Sequence, residues 1–147
     1  MFAQNPVLCW DFETVSDGKV VERQTEIADT IEGNYKIAGG VEGQGVRLDG
    51  FTTRVVREWK DVQNPGAEFT VEGWAALGQY PLNWCPLIAT ESLARGASEK
   101  VEGYRLLIGP YGQVSFQTAI GEQWVSCATA DKTMPLGKWM HIAAVYK

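Results

Sequence analysis

Few residues in this sequence could carry acid–base or nucleophilic chemistry. His141 is the only histidine among the 147 residues, which excludes sites that need two or more histidines, including many zinc and non-heme iron sites. A Ser–His–Asp or Cys–His device would need a nucleophile held against His141, and no motif places one there. Glu68 and Glu72 lie four positions apart on one predicted strand, a spacing that can place two glycosidase carboxylates on one face, but we interpret both as solvated or rim charges. The chain is therefore predicted to be non-catalytic.

Aromatic side chains are better candidates for function. A sugar ring can stack its C–H face on an indole or phenol ring while neighbouring polar groups hold its hydroxyls. Residues 78–85 are predicted to form a loop that presents Tyr80, Asn83 and Trp84 at the surface. Trp74 has the opposite strand parity to its apolar neighbours, and Trp124 lies close to a predicted turn. These five residues are the predicted carbohydrate contacts.

The six tryptophans also have a purely structural interpretation, in which they fill a core or cap its ends. We expect this interpretation to hold for Trp10 and Trp139. For the others, core packing and ligand contact both stay open.

Calcium binding is a third possibility, because calcium ligands are carboxylate and carbonyl oxygens on loops. Asp17, Asp29 and Asp49 lie in predicted early loops and are the candidate ligands, although no spacing motif joins them. The alternative is that they are ordinary turn aspartates. We expect no obligatory cofactor, with Ca²⁺ as an optional ligand.

Charge and apolar content limit the partners. Thirteen Lys and Arg against eighteen Asp and Glu leave a net charge of −5, so a phosphate backbone is not expected as a partner. No apolar run approaches the ~20 residues that cross a bilayer, so no membrane partner is expected. The first residues show no basic, apolar leader, and any such signal is expected upstream.

The three cysteines have no metal-binding or redox spacing. Cys9, Cys85 and Cys127 are far apart and odd in number, so at least one must be a free thiol. We expect three small buried side chains, although one disulfide of unassigned pairing is open.

Strand patterns dominate the chain. Apolar and polar residues alternate at 8–13 and 68–77, and further short strands are predicted at 86–90, 103–108, 113–120, 123–128 and 139–146. Residues 109–112 (GPYG) are suited to a hairpin turn. No segment shows helical spacing over more than three turns. The sequence therefore predicts one all-β domain over residues 1–147, an antiparallel sandwich.

Five segments in order resemble the laminin G-like (LamG) group of concanavalin A-like jelly rolls. They are 8–13 (LCWDFE), 41–50 (VEGQGVRLDG), 69–74 (FTVEGW), 103–108 (GYRLLI) and 137–146 (GKWMHIAAVY). The resemblance implies a two-sheet jelly-roll sandwich whose last strands are missing. About 30–50 further residues are expected, and without them an unpaired edge is expected to make the fragment marginally stable.

The resemblance also implies a role. LamG-like modules are similar to those attached to polysaccharide-degrading enzymes and adhesins, so we expect a carbohydrate-binding module of a larger secreted or surface protein. The partner would be a polysaccharide or glycan. An alternative is a structural or protein-interaction domain that packs on an adjoining domain. A further alternative is a fragment of a glycoside hydrolase with its catalytic carboxylates elsewhere, because the E-x-D-x-x-E pattern of jelly-roll glucanases does not occur here.

Overall fold

The computed structural model describes residues 6–62, 65–90 and 101–147. The chain divides into two compact units, Met1–Ala67 and Glu68–Lys147. Both consist of antiparallel strands with short connections, and the described residues include one short 3-10 helix at Trp59–Asp61. The all-β prediction is confirmed, while a single domain over 1–147 stays a prediction. No helix in the described part of the chain has the length and apolarity that a membrane crossing requires.

The first unit contains a four-stranded sheet and a separate hairpin. The sheet has the order β1-β2-β3-β6, and the hairpin joins β4 to β5. The bounds are β1 Val15–Ser16, β2 Lys19–Val21, β3 Ala28–Glu32, β4 Lys36–Gly39, β5 Gln44–Arg47 and β6 Arg54–Val56. Val20 and Ile31 are its buried apolar residues.

The strand predicted at residues 8–13 is wrong. The structure has bends and irregular backbone there, and Phe12 has a φ of 60°, a left-handed conformation that ends any extended run. Polar contacts replace a sheet ladder in this segment. The Cys9 N–H donates to Glu22 Oε1 over 2.5 Å, and the Trp10 indole N–H donates to Asp29 Oδ2 over 2.6 Å.

The second unit is a two-layer sandwich. One layer is a four-stranded sheet of order β11-β10-β9-β8, and the other is a two-stranded ribbon of β12 and β7. The bounds are β7 Phe69–Ala76, β8 Cys85–Ala89, β9 Tyr104–Ile108, β10 Val114–Ile120, β11 Gln123–Ala128 and β12 Trp139–Tyr146. All six strands lie where the sequence predicts them.

The core of the second unit lies between these two layers. Leu106 and Ile108 of β9, with Phe116 of β10, pack against Val71 of β7 and Ile142 of β12. Because side chains alternate along a strand, each layer then turns its other residues away from the core. The unit therefore has two outer faces, one on the four-stranded sheet and one on the ribbon.

Candidate functional site

The outer face of the four-stranded sheet brings an arginine, a glutamine and a tryptophan together. Arg105 of β9 lies opposite Gln117 of β10, and its Nε donates to Gln117 Oε1 over 2.6 Å. Trp124 of β11 lies opposite Ala119, two residues along β10 on the same face. The Arg105 guanidinium carbon is 4.2 Å from the centroid of the Trp124 ring, a cation–π distance. Trp124 and Gln117 thus hold the arginine in a defined position.

Trp84 completes this surface from the loop before β8. Its side chain is 45% exposed, and with Pro86, Arg105, Leu107 and Gln117 it lines a depression of about 230 Å³. We call Trp84, Arg105, Gln117 and Trp124 the platform. It offers an indole ring beside fixed polar groups, an arrangement that fits a ligand with one apolar face and hydroxyl groups at its edge.

Two glycines of the predicted hairpin turn 109–112 allow the loop 78–84 to lie against it. A Cβ on Gly109 would come within 2.9 Å of the Trp84 ring, and a Cβ on Gly112 would come within 2.6 Å of the Tyr80 ring. Tyr80 is half-buried, so its ring packs on the turn, while Asn83 is exposed beside Trp84. Of the loop residues predicted to contact sugar, Trp84 therefore has the clearest access to the depression.

Trp74 lies on the other side of the second unit. It belongs to β7, where Val71 and Ala75 face the core and Trp74 faces outward with 41% of its surface exposed. The sandwich core therefore separates Trp74 from Trp84 and Trp124, and one ligand ring cannot contact all three. Trp139, which we expected in the core, also points outward and is 42% exposed. Met140 and Ile142, its neighbours on β12, take the inward positions instead.

Sequence reasoning missed Arg105 and Gln117. Both occupy outward positions of strands that were predicted correctly, and polar residues at such positions were a usable signal. Their partnership depends on the register between β9 and β10, and a single sequence does not reveal that register.

The three candidate calcium ligands have separate structural roles. Asp17 and Gly18 have φ of 51° and 73° in the two-residue turn between β1 and β2, where the I′ type of turn needs both values positive. Asp49 Oδ1 accepts the backbone N–H groups of Phe51, Thr52 and Thr53. A hydrogen bond from the Thr52 hydroxyl, with the backbone bonds from Phe51 and Thr52, holds the pKa of Asp49 well below its usual range. Both residues thus stabilise turns.

Asp29 belongs to a buried cluster of charges that we call the ion cluster, formed with Glu22 and Arg57. Arg57 Nη2 lies 2.8 Å from Asp29 Oδ2 and 3.5 Å from Glu22 Oε2, and all three side chains are at most 6% exposed. Among the residues that the structure describes, no three or more His, Cys, Asp or Glu side chains form a group suited to a metal ion. Calcium binding stays a prediction, and the three aspartates do not form one ligand set.

The ion cluster makes the stability of the chain sensitive to acid. Burial raises the pKa of Glu22, but hydrogen bonds from Thr25, Gln24 and Cys9 outweigh burial and lower it from 4.5 to about 2. Because the Glu22 pKa is lower in the folded state than in the unfolded state, ionised Glu22 stabilises the folded state at pH values above 4.5. This contribution disappears as the pH falls from about 4.5 to about 2. Urea unfolding across that range should show stability falling with pH more steeply in the parent than in Glu22→Gln. If the free energy of unfolding falls equally steeply with pH in both proteins, Glu22 is not the source of the acid sensitivity.

All three cysteines are free thiols. Cys9 and Cys85 are half-buried, and Cys127 is exposed on β11, so the expectation of a buried side chain is wrong for Cys127. Burial raises the pKa of the Cys9 thiol, and the neighbouring Asp11 carboxylate raises it further. The thiolate form, which is the nucleophile, is therefore disfavoured at Cys9.

A known protein family matches a part of the chain that includes the whole second unit. A laminin G family model, described as the concanavalin A-like lectin/glucanases superfamily, matches residues 52–147. The match runs from β6 to β12 and includes every platform residue. Comparison with curated proteins and with solved structures finds no match.

Proposed function

Because the chain belongs to the concanavalin A-like lectin/glucanases superfamily, we propose that it is a carbohydrate-binding module. The platform is the proposed contact surface, and the observation that carries the proposal is the depression between the exposed Trp84 ring and the Arg105–Gln117 pair. The module would be part of a larger secreted or surface protein that acts on polysaccharides. Family membership supports this setting, because the superfamily includes both lectins and glucanases.

Trp84 supplies the stacking surface in this proposal. Its ring packs against Gly109, and its exposed portion borders the depression. A pyranose ring carries C–H bonds on one face, and stacking this face on an indole removes apolar area from water without burying any hydroxyl.

Arg105 and Gln117 supply the hydrogen bonds. A guanidinium group offers five N–H donors in a fixed plane, and Trp124 holds it by a cation–π contact while Gln117 accepts a hydrogen bond from one of the donors. Little side-chain entropy is then lost when a sugar binds, because the arginine is already ordered. Trp124 thus acts mainly by positioning Arg105.

The module is proposed to be non-catalytic. Retaining glycosidases place two carboxyl groups about 5–5.5 Å apart at the bond that they cleave. The five residues lining the depression are Trp84, Pro86, Arg105, Leu107 and Gln117, and none carries a carboxyl group. Residues of this kind can hold a sugar but cannot protonate its glycosidic oxygen.

Titration of the chain with soluble polysaccharides and oligosaccharides tests the proposal. Trp84→Ala is expected to weaken binding about 10–100-fold, equivalent to about 1.4–2.8 kcal/mol, because it removes the stacking ring. The matched control is Leu82→Ala, which changes an 84% exposed side chain in the same loop and should leave affinity unchanged. Near-ultraviolet circular dichroism confirms that both variants are folded.

Two results would contradict the proposal. Equal affinity of Trp84→Ala and the parent would place the sugar elsewhere. No binding to any glycan, together with capture by an adjoining domain of the full protein, would favour the structural or protein-interaction role instead.

Parallel titrations with EDTA and with Ca²⁺ show whether calcium contributes, and a requirement for Ca²⁺ would shift the proposed contact toward a metal-dependent site.

A further inference from the structure

The outer face of the β7–β12 ribbon carries a second set of aromatic groups. Trp74 and His141 lie directly opposite each other in the ribbon. Trp139, two residues before His141, is the neighbouring outward residue of β12. Glu72 is the next outward residue of β7. We call these four residues the ribbon site. We propose that the ribbon site is a second, independent binding site for an extended neutral polysaccharide chain.

The rings of the ribbon site form a continuous stripe. The Trp74 and His141 ring centroids are 5.1 Å apart with a tilt of 51°. Trp139 is the diagonal neighbour of Trp74, and diagonal pairs in an antiparallel ribbon are roughly 7–8 Å apart. Both indole rings are two-fifths exposed. Successive sugar rings of one chain can therefore meet successive aromatic rings.

Small neighbours leave room above this stripe. Trp139 lies opposite Ala76, and Glu72 lies opposite Ala143. Alanine side chains are much shorter than indole rings, so the exposed residues opposite Trp139 and Glu72 do not cover the ring faces. A ligand can thus lie along the ribbon without displacing a side chain.

Polar groups that can bind hydroxyls lie within the same stripe. His141 Nε2 is 3.5 Å from Glu72 Oε2, and the two side chains are 36% and 23% exposed. An imidazole beside a carboxylate offers a donor and acceptors to the vicinal hydroxyls of a sugar. The ribbon site contains no lysine or arginine that would select an anionic ligand, so a neutral sugar chain is the matching class.

The size of the ribbon argues for a single chain rather than a folded protein. Two strands of eight residues cover about 27 Å by 10 Å, or roughly 270 Å². A stable protein interface buries about 800 Å² on each partner. The ribbon face is too narrow for such an interface but is as long as several sugar units.

The test separates the ribbon site from the platform. Binding of a soluble β-glucan, a xyloglucan and a galactomannan is measured for Trp84→Ala, for Trp74→Ala/Trp139→Ala and for the triple variant. The ribbon site predicts that Trp84→Ala retains measurable binding, and that the triple variant loses at least tenfold more affinity. Titration of the parent with hexasaccharides is expected to give two sites per chain.

Controls keep the result interpretable if a substitution affects folding. Val125→Ala changes an exposed valine of β11 that belongs to neither site and should leave affinity unchanged, while Trp139→Phe keeps a stacking ring and should retain most binding. If the triple variant binds as tightly as Trp84→Ala, the ribbon site is overturned and the platform stays intact. Loss of all binding in Trp74→Ala/Trp139→Ala, with Trp84→Ala unaffected, overturns the platform instead. Capture of a folded protein through Trp139, without any glycan binding, overturns the ribbon site as a sugar site.

Discussion

Arg57→Met is expected to destabilise the chain by about 3–5 kcal/mol, because it leaves two buried carboxylates without their cation. Arg57 lies between Asp29 and Glu22, with Nη2 2.8 Å from Asp29 Oδ2 and Nη1 3.3 Å from Thr25 Oγ1. Its guanidinium carbon also lies 5.1 Å from the centroid of the Trp10 ring. Methionine can fill much of the volume but cannot compensate the charges.

The effect of Arg57→Met is measured by urea unfolding beside Arg54→Met. Arg54 belongs to β6 and pairs with Glu32 over 2.6 Å, but its side chain is 55% exposed. An exposed ion pair is worth about 0.2–1 kcal/mol, so the control should lose no more than that. The loss in Arg57→Met is expected to shrink as the pH falls toward about 2, because protonation then neutralises the Glu22 carboxylate. Equal losses in the two variants would show that burial of the ion cluster does not contribute.

Leu106→Ala is the second large effect, with an expected cost of about 2–5 kcal/mol. Leu106 is fully buried in the middle of β9, opposite Phe116 of β10, and belongs to the core shared by both layers of the second unit. Removing its side chain loses transfer free energy and leaves a cavity that the flanking strands fill only in part. Thermal and urea unfolding report the change.

Leu82→Ala provides the comparison, because the same side-chain change occurs at an exposed loop position. That variant is expected to unfold within about 0.5 kcal/mol of the parent. Glycan affinity of Leu106→Ala should match the parent under conditions where it stays folded, since Arg105 and Leu107 lie on the opposite face of β9. A Leu106→Ala variant as stable as Leu82→Ala would mean that the two layers do not share a close-packed core.

The strands of the second unit were predictable because their signal is local. Alternation of apolar and polar residues along 68–77 or 113–120 reports a half-buried strand wherever its partners lie. Turn residues such as those at 109–112 then mark the ends. The segment 8–13 has the same alternation but is not a strand. Its polar groups bind Glu22 and Asp29, partners that lie 13 and 19 residues away along the chain.

The sequence alone determined the all-β class, the six strands of the second unit and the resemblance to the family that matches residues 52–147. It also determined which residues of a strand share a face, because that follows from the two-residue period. Tertiary structure decided which of the two faces meets the core. It therefore set Trp84 and Trp124 on one side of the sandwich and Trp74 and Trp139 on the other. Register between distant strands placed Arg105 against Gln117, and register depends on contacts that no local pattern encodes.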